Sequence, residues 1–466
     1  MYKLILAFRY LYRRRISYLA LGAVALCVFI VVVVMTVMTG LVGDFKKKNH
    51  EFVGDCVVGT ESLVGFPYYE DFGQTLESAD FVEAVSPAIK SYALVGREGS
   101  SRNMGVEIIG IDAARHSRAT SFGRTLHYHK EDSTKAFMPI RAFFGKNPQG
   151  FPKIERRPDP NMPGFVVGVD MWVWRGEHGE YYYDPNPEAT PLTVTCFPLT
   201  AKGALAKAGT DLVNTRTFYF SDTSESGLAR VDSSDIYLPF EEAQALVGMD
   251  RPVARASQLH IKFKPGVKLE DGCRKVRLLW AKFSDEMKGK GNAELLTQVS
   301  VQSWKEHRRE FIAAMEKEQV MLMVMFGLVG LTTVFIIFVV FYMIVSHKTK
   351  DLGILKSVGA SGCDVVVLFS GFAAMLGILG SAVGIAGGLL FLRNINAIEN
   401  WLYERFGFQL WDRTIYSIGE IPHRIDLTMV LVVAGCAILA CLAGAALPSI
   451  RAARNKPIEA LQVSQL

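Results

Sequence analysis

No charged side chain interrupts four stretches of this 466-residue chain: residues 16–43, 319–345, 365–392 and 427–450. That absence excludes an ordinary soluble domain, because apolar residues in such a domain are dispersed among polar ones. Each run exceeds the roughly 20 residues needed to cross about 30 Å of hydrocarbon. Hydrocarbon offers the backbone no hydrogen-bond partners, so each run must be a helix. With no Asp, Glu, Lys, Arg or His inside any run, a proton or ion relay through the bilayer is not expected. The first run is too long for the apolar centre of a cleaved signal peptide and reads as a retained anchor.

Catalytic signatures are also missing. There is no G-x-x-x-x-G-K-[ST] loop for nucleotide phosphates, no H-E-x-x-H, no C-x-x-C pair and no G-x-S-x-G. The chain therefore reads as non-catalytic: it moves something and draws its energy from elsewhere. No metal or cofactor is expected on it. Cysteine is scarce, with seven in all. Cys27, Cys436 and Cys441 lie in the apolar runs and Cys363 lies between two of them. Cys56, Cys196 and Cys273 lie in the long segment after the first run, without metal-ligand spacing. They read as unpaired buried thiols or as one disulfide among the three, not as a disulfide scaffold.

What is present sets the orientation. Residues 1–15 carry Lys3, Arg9, Arg13, Arg14 and Arg15 and no acid. The 346–364 loop carries Lys348, Lys350 and Lys356 against Asp351 and Asp364, and the tail carries Arg451, Arg454 and Lys456 against Glu459. The positive-inside rule then places both termini and the 346–364 loop in the cytoplasm. Lys46, Lys47 and Lys48 dissent, but a long following domain can be translocated despite nearby charge. The net charge of +5 reflects this topology, so no nucleic-acid partner is expected.

These signals predict an α-helical membrane protein with four transmembrane helices and a large mixed α/β periplasmic domain between helices 1 and 2. The layout is a basic amphipathic interfacial helix (1–15), a first span (16–43) and the periplasmic domain (44–318). A second span (319–345), a cytoplasmic segment (346–364) and a third span (365–392) follow. A periplasmic loop (393–426), a fourth span (427–450) and a cytoplasmic tail (451–466) complete it. Alternating apolar patterns predict strands at 56–60, 84–96, 105–112, 192–199, 216–221, 235–240 and 258–264, and helices at 241–248 and 269–283. Residues 127–163 read as a polar surface excursion. Residues 303–318 have helix-forming composition and lead into the second span without a breaker. A helix from 303 to 346 would be roughly 66 Å long at 1.5 Å per residue, and its surplus would form a stalk, either a solvated linker or a lever.

Three sets of residues stand out. Gly380, Gly384 and Gly388 are four apart, so another helix can approach that face closely. Val31, Val34, Met35 and Met38 in the first span, with Met321 and Met325 in the second, would suit an adaptable apolar cavity or a plain lipid-facing surface. The cassette SHKTKDLGILKSVGAS (346–361) places Ile354, Leu355 and Val358 on one apolar face, with Lys350, Asp351 and Lys356 on a charged side. It reads either as a short helix docking in a partner's groove or as a basic loop that only fixes topology.

The cassette resembles the coupling segment of the MacB/FtsX-type ABC transporter permeases, and LPSIRAARNKPIEALQ (447–462) is similar to the ending of that group. KDLGILKSVGAS, the segment from Trp304 into the stalk, and IYSIGEIPHRID (415–426) after NINAIENWL (394–402) resemble the lipoprotein-releasing LolC/LolE branch. GVEIIGID, MPGFVVG and DIYLPFEEAQAL add patches of likeness, whereas 127–163 and MWVWRGEHGEYYY (171–183) depart from it. The resemblance implies a bacterial inner-membrane permease working with two copies of a separate cytoplasmic ATPase, which would hold the ATP and magnesium. It implies a second permease, identical or homologous, an acylated lipoprotein as cargo and a soluble periplasmic carrier. Lys350, Asp351, Ile354, Leu355, Gly359 and Ala360 fall on the coupling positions. Efflux of hydrophobic molecules or peptides, and signalling to a cell-wall hydrolase, are the alternatives within the same mechanics.

Overall fold

The computed structural model describes residues 15–97, 103–140, 163–176, 179–185, 187–205, 213–347, 354, 356–407, 421 and 426–454. The amphipathic segment before Arg15, most of the 127–163 excursion, Lys350, Asp351, Leu355 and the end of the tail lie outside the described residues. The chain forms two compact units, one holding the four apolar runs and the other built mainly from Phe45–Ile312.

In the first unit the four runs are helices, Arg15–Val53, Arg309–His347, Gly362–Arg393 and Leu427–Arg454. Half of the most apolar window of the third is buried within the protein, against 22–33% for the other three. The third helix is therefore the one the rest pack around. Its glycines explain how. A Cβ at Gly384 would stand 2.5 Å from the Ala25 carbonyl oxygen, and one at Gly380 would stand 2.7 Å from Val24 Cγ1. At Gly388 the nearest atom, on Val32, would be 3.3 Å away. These glycines take the first helix almost backbone to backbone, while Gly377 meets Ile438 and Cys441 of the fourth. Without a hydrophobic drive between helices in lipid, such close contact supplies the attraction.

Two helix boundaries differ from expectation. The first helix continues ten residues past the apolar run, through DFKKKNHEFV to Val53. The lysines that dissented from the charge rule are part of this extension. Lys47 pairs with Glu51 one turn on at 3.9 Å, and Lys48 donates to the Gly227 carbonyl at 3.2 Å. Gly54, at φ +84°, ends the helix. The stalk is not one helix from 303. Ser303 closes a strand and caps a single turn, Trp304–His307, through a reciprocal capping box with Glu306. Arg308, at φ −102° and ψ 17°, interrupts the helix before it restarts at Arg309. Uniformly helical composition over 303–318 carries no sign of this break. Residues 395–406, within the expected loop, also form a helix, capped by Gly407 at φ +64°.

The second unit is a nine-stranded sheet: β1 (Cys56–Gly59), β2 (Val82–Arg97), β3 (Asn103–Ile111), β4 (Gly164–Gly168), β5 (Pro191–Cys196), β6 (Asn214–Ser224), β7 (Asp235–Pro239), β8 (Gln258–Phe263) and β9 (Ser300–Ser303). The order is β9-β1-β8-β2-β3-β7-β4-β6-β5. Strand β2 is sixteen residues long, and its last four, Leu94–Arg97, pair with β5 as well. Six strands thus close on themselves, which removes two exposed edges. β7 runs parallel to β3, and β4 parallel to β6; the other ladders are antiparallel. All seven strands read from alternation are present, as are the helices over 241–248 and 269–283. The fully buried β4 and the short β9 lack the period-2 signal and were not foreseen.

The core collects Phe66, Phe72, Ile89, Phe165, Phe218 and Ile261. All seven cysteines are free thiols; the neighbouring Cys273 thiol and burial push the Cys56 thiol up. Buried polar groups are stitched into the backbone. The Asp222 carboxylate accepts from the backbone N–H groups of His127, Tyr128 and His129, which holds down the start of the 127–163 excursion. Asp55 accepts from His50 at 2.7 Å and from the Phe263 N–H at 2.7 Å, while its own carbonyl accepts from the Trp304 N–H. His50 in turn stacks on Trp304 at 4.8 Å. Arg255, fully buried, donates to the carbonyls of Val64, Leu199 and Gly248.

Two outcomes follow. Arg255→Met strands those three carbonyls in the core, and an unsatisfied buried acceptor costs about 1–3 kcal/mol. Thermal unfolding of the purified chain should show the α/β unit destabilised by roughly 3 kcal/mol. In the helical unit, alanine substitutions should grade with the space available. Gly384→Ala should destabilise by about 1–3 kcal/mol, Gly380→Ala by less, and Gly388→Ala only slightly. Equal losses at Gly384 and Gly388 in detergent melts would contradict this packing.

Candidate functional site

The first candidate is the cassette between the second and third helices. Its described residues form one turn at Ile354–Val358, where the Val358 N–H donates to the Ile354 carbonyl at 3.2 Å. Gly359, at φ +108°, ends the turn in a conformation only glycine adopts without strain. Ser361 then caps the third helix by a capping box with Asp364. Lys356 Nζ donates to the Ala453 carbonyl at 2.7 Å, in the last turn of the fourth helix. A cation at that end suits the helix dipole. The turn is therefore fastened on one side. On the other, Ile354 and Val358 are 55% and 84% exposed, an apolar ridge presented by a held turn. Ala360 is half-buried. Of the six expected coupling residues, the structure describes Ile354, Gly359 and Ala360.

The second candidate is an apolar cavity of about 320 Å³ inside the helical unit. Its walls come from the first helix (Val24, Cys27, Val28, Val31), the second (Phe326, Gly327, Gly330, Thr333) and the fourth, at Val432–Ala440. A Cβ added at Gly327 or Gly330 would meet nothing within 4 Å, so these glycines leave the space open. Of the residues expected to line a cavity, Val31 does so. Met35 is buried, Val34 and Met38 are half-buried, and Met321 and Met325 are 59% and 54% exposed. None of these five is part of the wall described here. The fourth-helix wall was missed. Its sequence signal is the small residues Cys436, Ala437 and Ala440 at helical spacing.

The matches to known proteins agree with this arrangement. Residues 323–457 match the family described as FtsX-like permease C-terminal, a span that contains the cassette and the fourth-helix wall. The lipoprotein-releasing system transmembrane protein LolC of Neisseria meningitidis is 21% identical over 457 residues, covering 96% of this chain and 94% of that protein. LolC of Xylella fastidiosa is 25% identical over 162 residues, 35% of this chain and 39% of that protein. LolE of Haemophilus influenzae is 26% identical over 122 residues, 26% of this chain and 29% of that protein. The periplasmic region of MacB from Actinobacillus actinomycetemcomitans aligns with 56% of this chain and 94% of its own, at 9% identity and a TM-score of 0.28, too low to bear on the fold. The chain is thus similar to FtsX-like and LolC-type permeases, and four of its helices are long and apolar enough to cross a membrane, with an α/β unit between the first and the second.

Proposed function

We propose that the chain is the permease subunit of a complex that extracts acylated lipoproteins from the inner membrane and hands them to a soluble periplasmic carrier. The likeness to LolC along nearly the whole chain carries this reading. In it, both termini and the cassette face the cytoplasm. Lys350, Asp351, Ile354, Leu355, Gly359 and Ala360 engage one of two ATPase subunits, and a second permease completes the pair. Nucleotide-driven closure of the ATPases reaches the α/β unit through the helices that enter it. ATP and magnesium stay on the ATPase subunits, since this sequence holds no phosphate loop.

The physical demand supports the cargo class. Pulling an acyl chain from the bilayer opposes about 0.8 kcal/mol per methylene. Release therefore needs an energy source and an apolar shelter outside the lipid. The cavity beside Val31 is apolar and is opened by Gly327 and Gly330. It supplies a first apolar surface, with Val34, Met35, Met38, Met321 and Met325 extending it as the helices move. The exposed ridge at Ile354 and Val358 supplies the grip.

The test is ATP-dependent release from proteoliposomes holding the chain, its cognate ATPase and a triacylated lipoprotein, with carrier added. Release should require ATP. Val358→Asp should lower release and lipoprotein-stimulated ATP hydrolysis together by about tenfold or more, because a buried unpaired charge at an interface costs several kcal/mol. Gly330→Phe should fill the cavity and slow release while basal ATP hydrolysis persists. ATP hydrolysis with the lipoprotein left in the membrane would overturn the cargo assignment.

A further inference from the structure

A second cavity, of about 80 Å³, lies wholly within the α/β unit, where the helix that begins at Arg309 leaves the sheet. It has room for several water-sized groups, each needing about 10–15 Å³. Its wall is unusually rich in ionisable side chains. Arg308, at the helix interruption, is half-buried and packs between rings, 4.9 Å from the Phe52 centroid and 5.5 Å from that of Phe311. Its shielded Nε has no hydrogen-bond partner, and among the described residues no carboxylate lies within ion-pair distance of it.

Asp235 and Glu107 favour the charged guanidinium, but neither pairs with it. Glu107 on β3 is engaged by Lys90 of β2 at 2.6 Å. Asp235 on β7 accepts from Ser234 Oγ at 2.8 Å. Arg230, exposed at the rim, adds a second guanidinium 5.1 Å from the Phe311 ring. Three buried imidazoles contribute no charge near neutrality. His260 Nδ1 is bonded to the Val53 carbonyl, His307 Nδ1 to Gln302 and His116 Nδ1 to Ser86. Burial first, and nearby positive groups second, hold His260 down at about 4 and His307 at about 3; burial and then His260 hold His116 well below its usual value. Tyr237, fully buried, stays neutral. The first turn of the helix after Arg308 also reaches the wall through Phe311. A helix N-terminus carries positive partial charge, which Glu310 in the same turn offsets in part.

We propose that this cavity binds a small oxyanion, of the sulfate or phosphate class, held by the Arg308 guanidinium and the first turn of the following helix. The anion sits beside a half-buried cation that has no ion-pair partner among the described residues, at the point where the stalk breaks. Asp235 tunes the site. Burial and Glu107 raise its carboxyl to about 7, against the lowering influence of Ser234, Lys90 and Arg308. Below that pH it is neutral and can donate to the anion; above it, its charge repels the anion. Affinity should therefore be high below about pH 7 and fall above it.

Sulfate is the probe, because it does not titrate in this range. Equilibrium dialysis of radiolabelled sulfate against the full chain in zwitterionic nanodiscs should show one saturable site, weakening by roughly tenfold from about pH 6 to about pH 8. Arg308→Gln should weaken it by roughly 30-fold. Asp235→Asn should do the opposite at about pH 8, binding roughly tenfold tighter than the unmodified chain and losing the pH dependence. A misfolded variant cannot produce that gain. No saturable binding to the unmodified chain, undiminished binding to Arg308→Gln, or no gain for Asp235→Asn would each overturn the proposal. Lipoprotein release is not part of this readout, so its failure leaves the cargo assignment untouched.

Discussion

Hydrocarbon gives a polypeptide no hydrogen-bond partners, and much of this molecule is a response to that fact. Four uncharged runs must satisfy their own backbones, so they are helices. Once helical, they gain little from hiding apolar surface, since lipid is as apolar as leucine. They associate where small residues permit backbone contact, and the third helix, with glycines toward both the first and the fourth, is the organiser. Where packing is not close, space remains. The cavity beside Val31 exists because Gly327 and Gly330 of the second helix face nothing within 4 Å. The cassette is the same constraint at a membrane edge. The chain must turn between two helices, and Gly359 with the Ser361–Asp364 capping box makes that turn while leaving Ile354 and Val358 outward.

The α/β unit handles polar groups by the opposite means. Water is available at its surface, and several charges in its interior are received by the backbone. Asp222 is surrounded by backbone N–H donors and Arg255 by carbonyls. Asp232 is likewise held by Ser226 and Gly227, although burial still raises its carboxyl to about 6. Against this habit Arg308 is conspicuous. It lies between two aromatic rings with no backbone carbonyl to receive it among the described residues, and it interrupts the helix leading to the second membrane run.

Much of this was open to reading from residue order alone. Absence of charge marked the four helices, because insertion into lipid depends on local composition and hardly on distant contacts. Alternating apolar patterns marked seven strands, most plainly β5, because a strand with one buried face records that burial in its own residues. The cassette was legible as an apolar ridge bracketed by glycines. The unforeseen elements share a different character. Strand β4 is buried throughout and shows no alternation. The helical extension over 44–53 is polar and gains its partners, such as Gly227 for Lys48, from chain far away in sequence. The interruption at Arg308 falls inside a segment of uniformly helical composition.

Residue order thus settled what each segment must become wherever the deciding forces are local: hydrophobic length, alternation, glycine at a positive φ. Tertiary structure alone decided which segments meet. Closure of the sheet through Leu94–Arg97 and β5 joins residues about a hundred positions apart. The membrane cavity needs a wall from the fourth helix, and the charged cavity gathers side chains from β2, β3, β7, β8 and the stalk. Such assemblies leave no periodic trace, because each contributing residue obeys its own element's pattern and only packing brings them within range of one another.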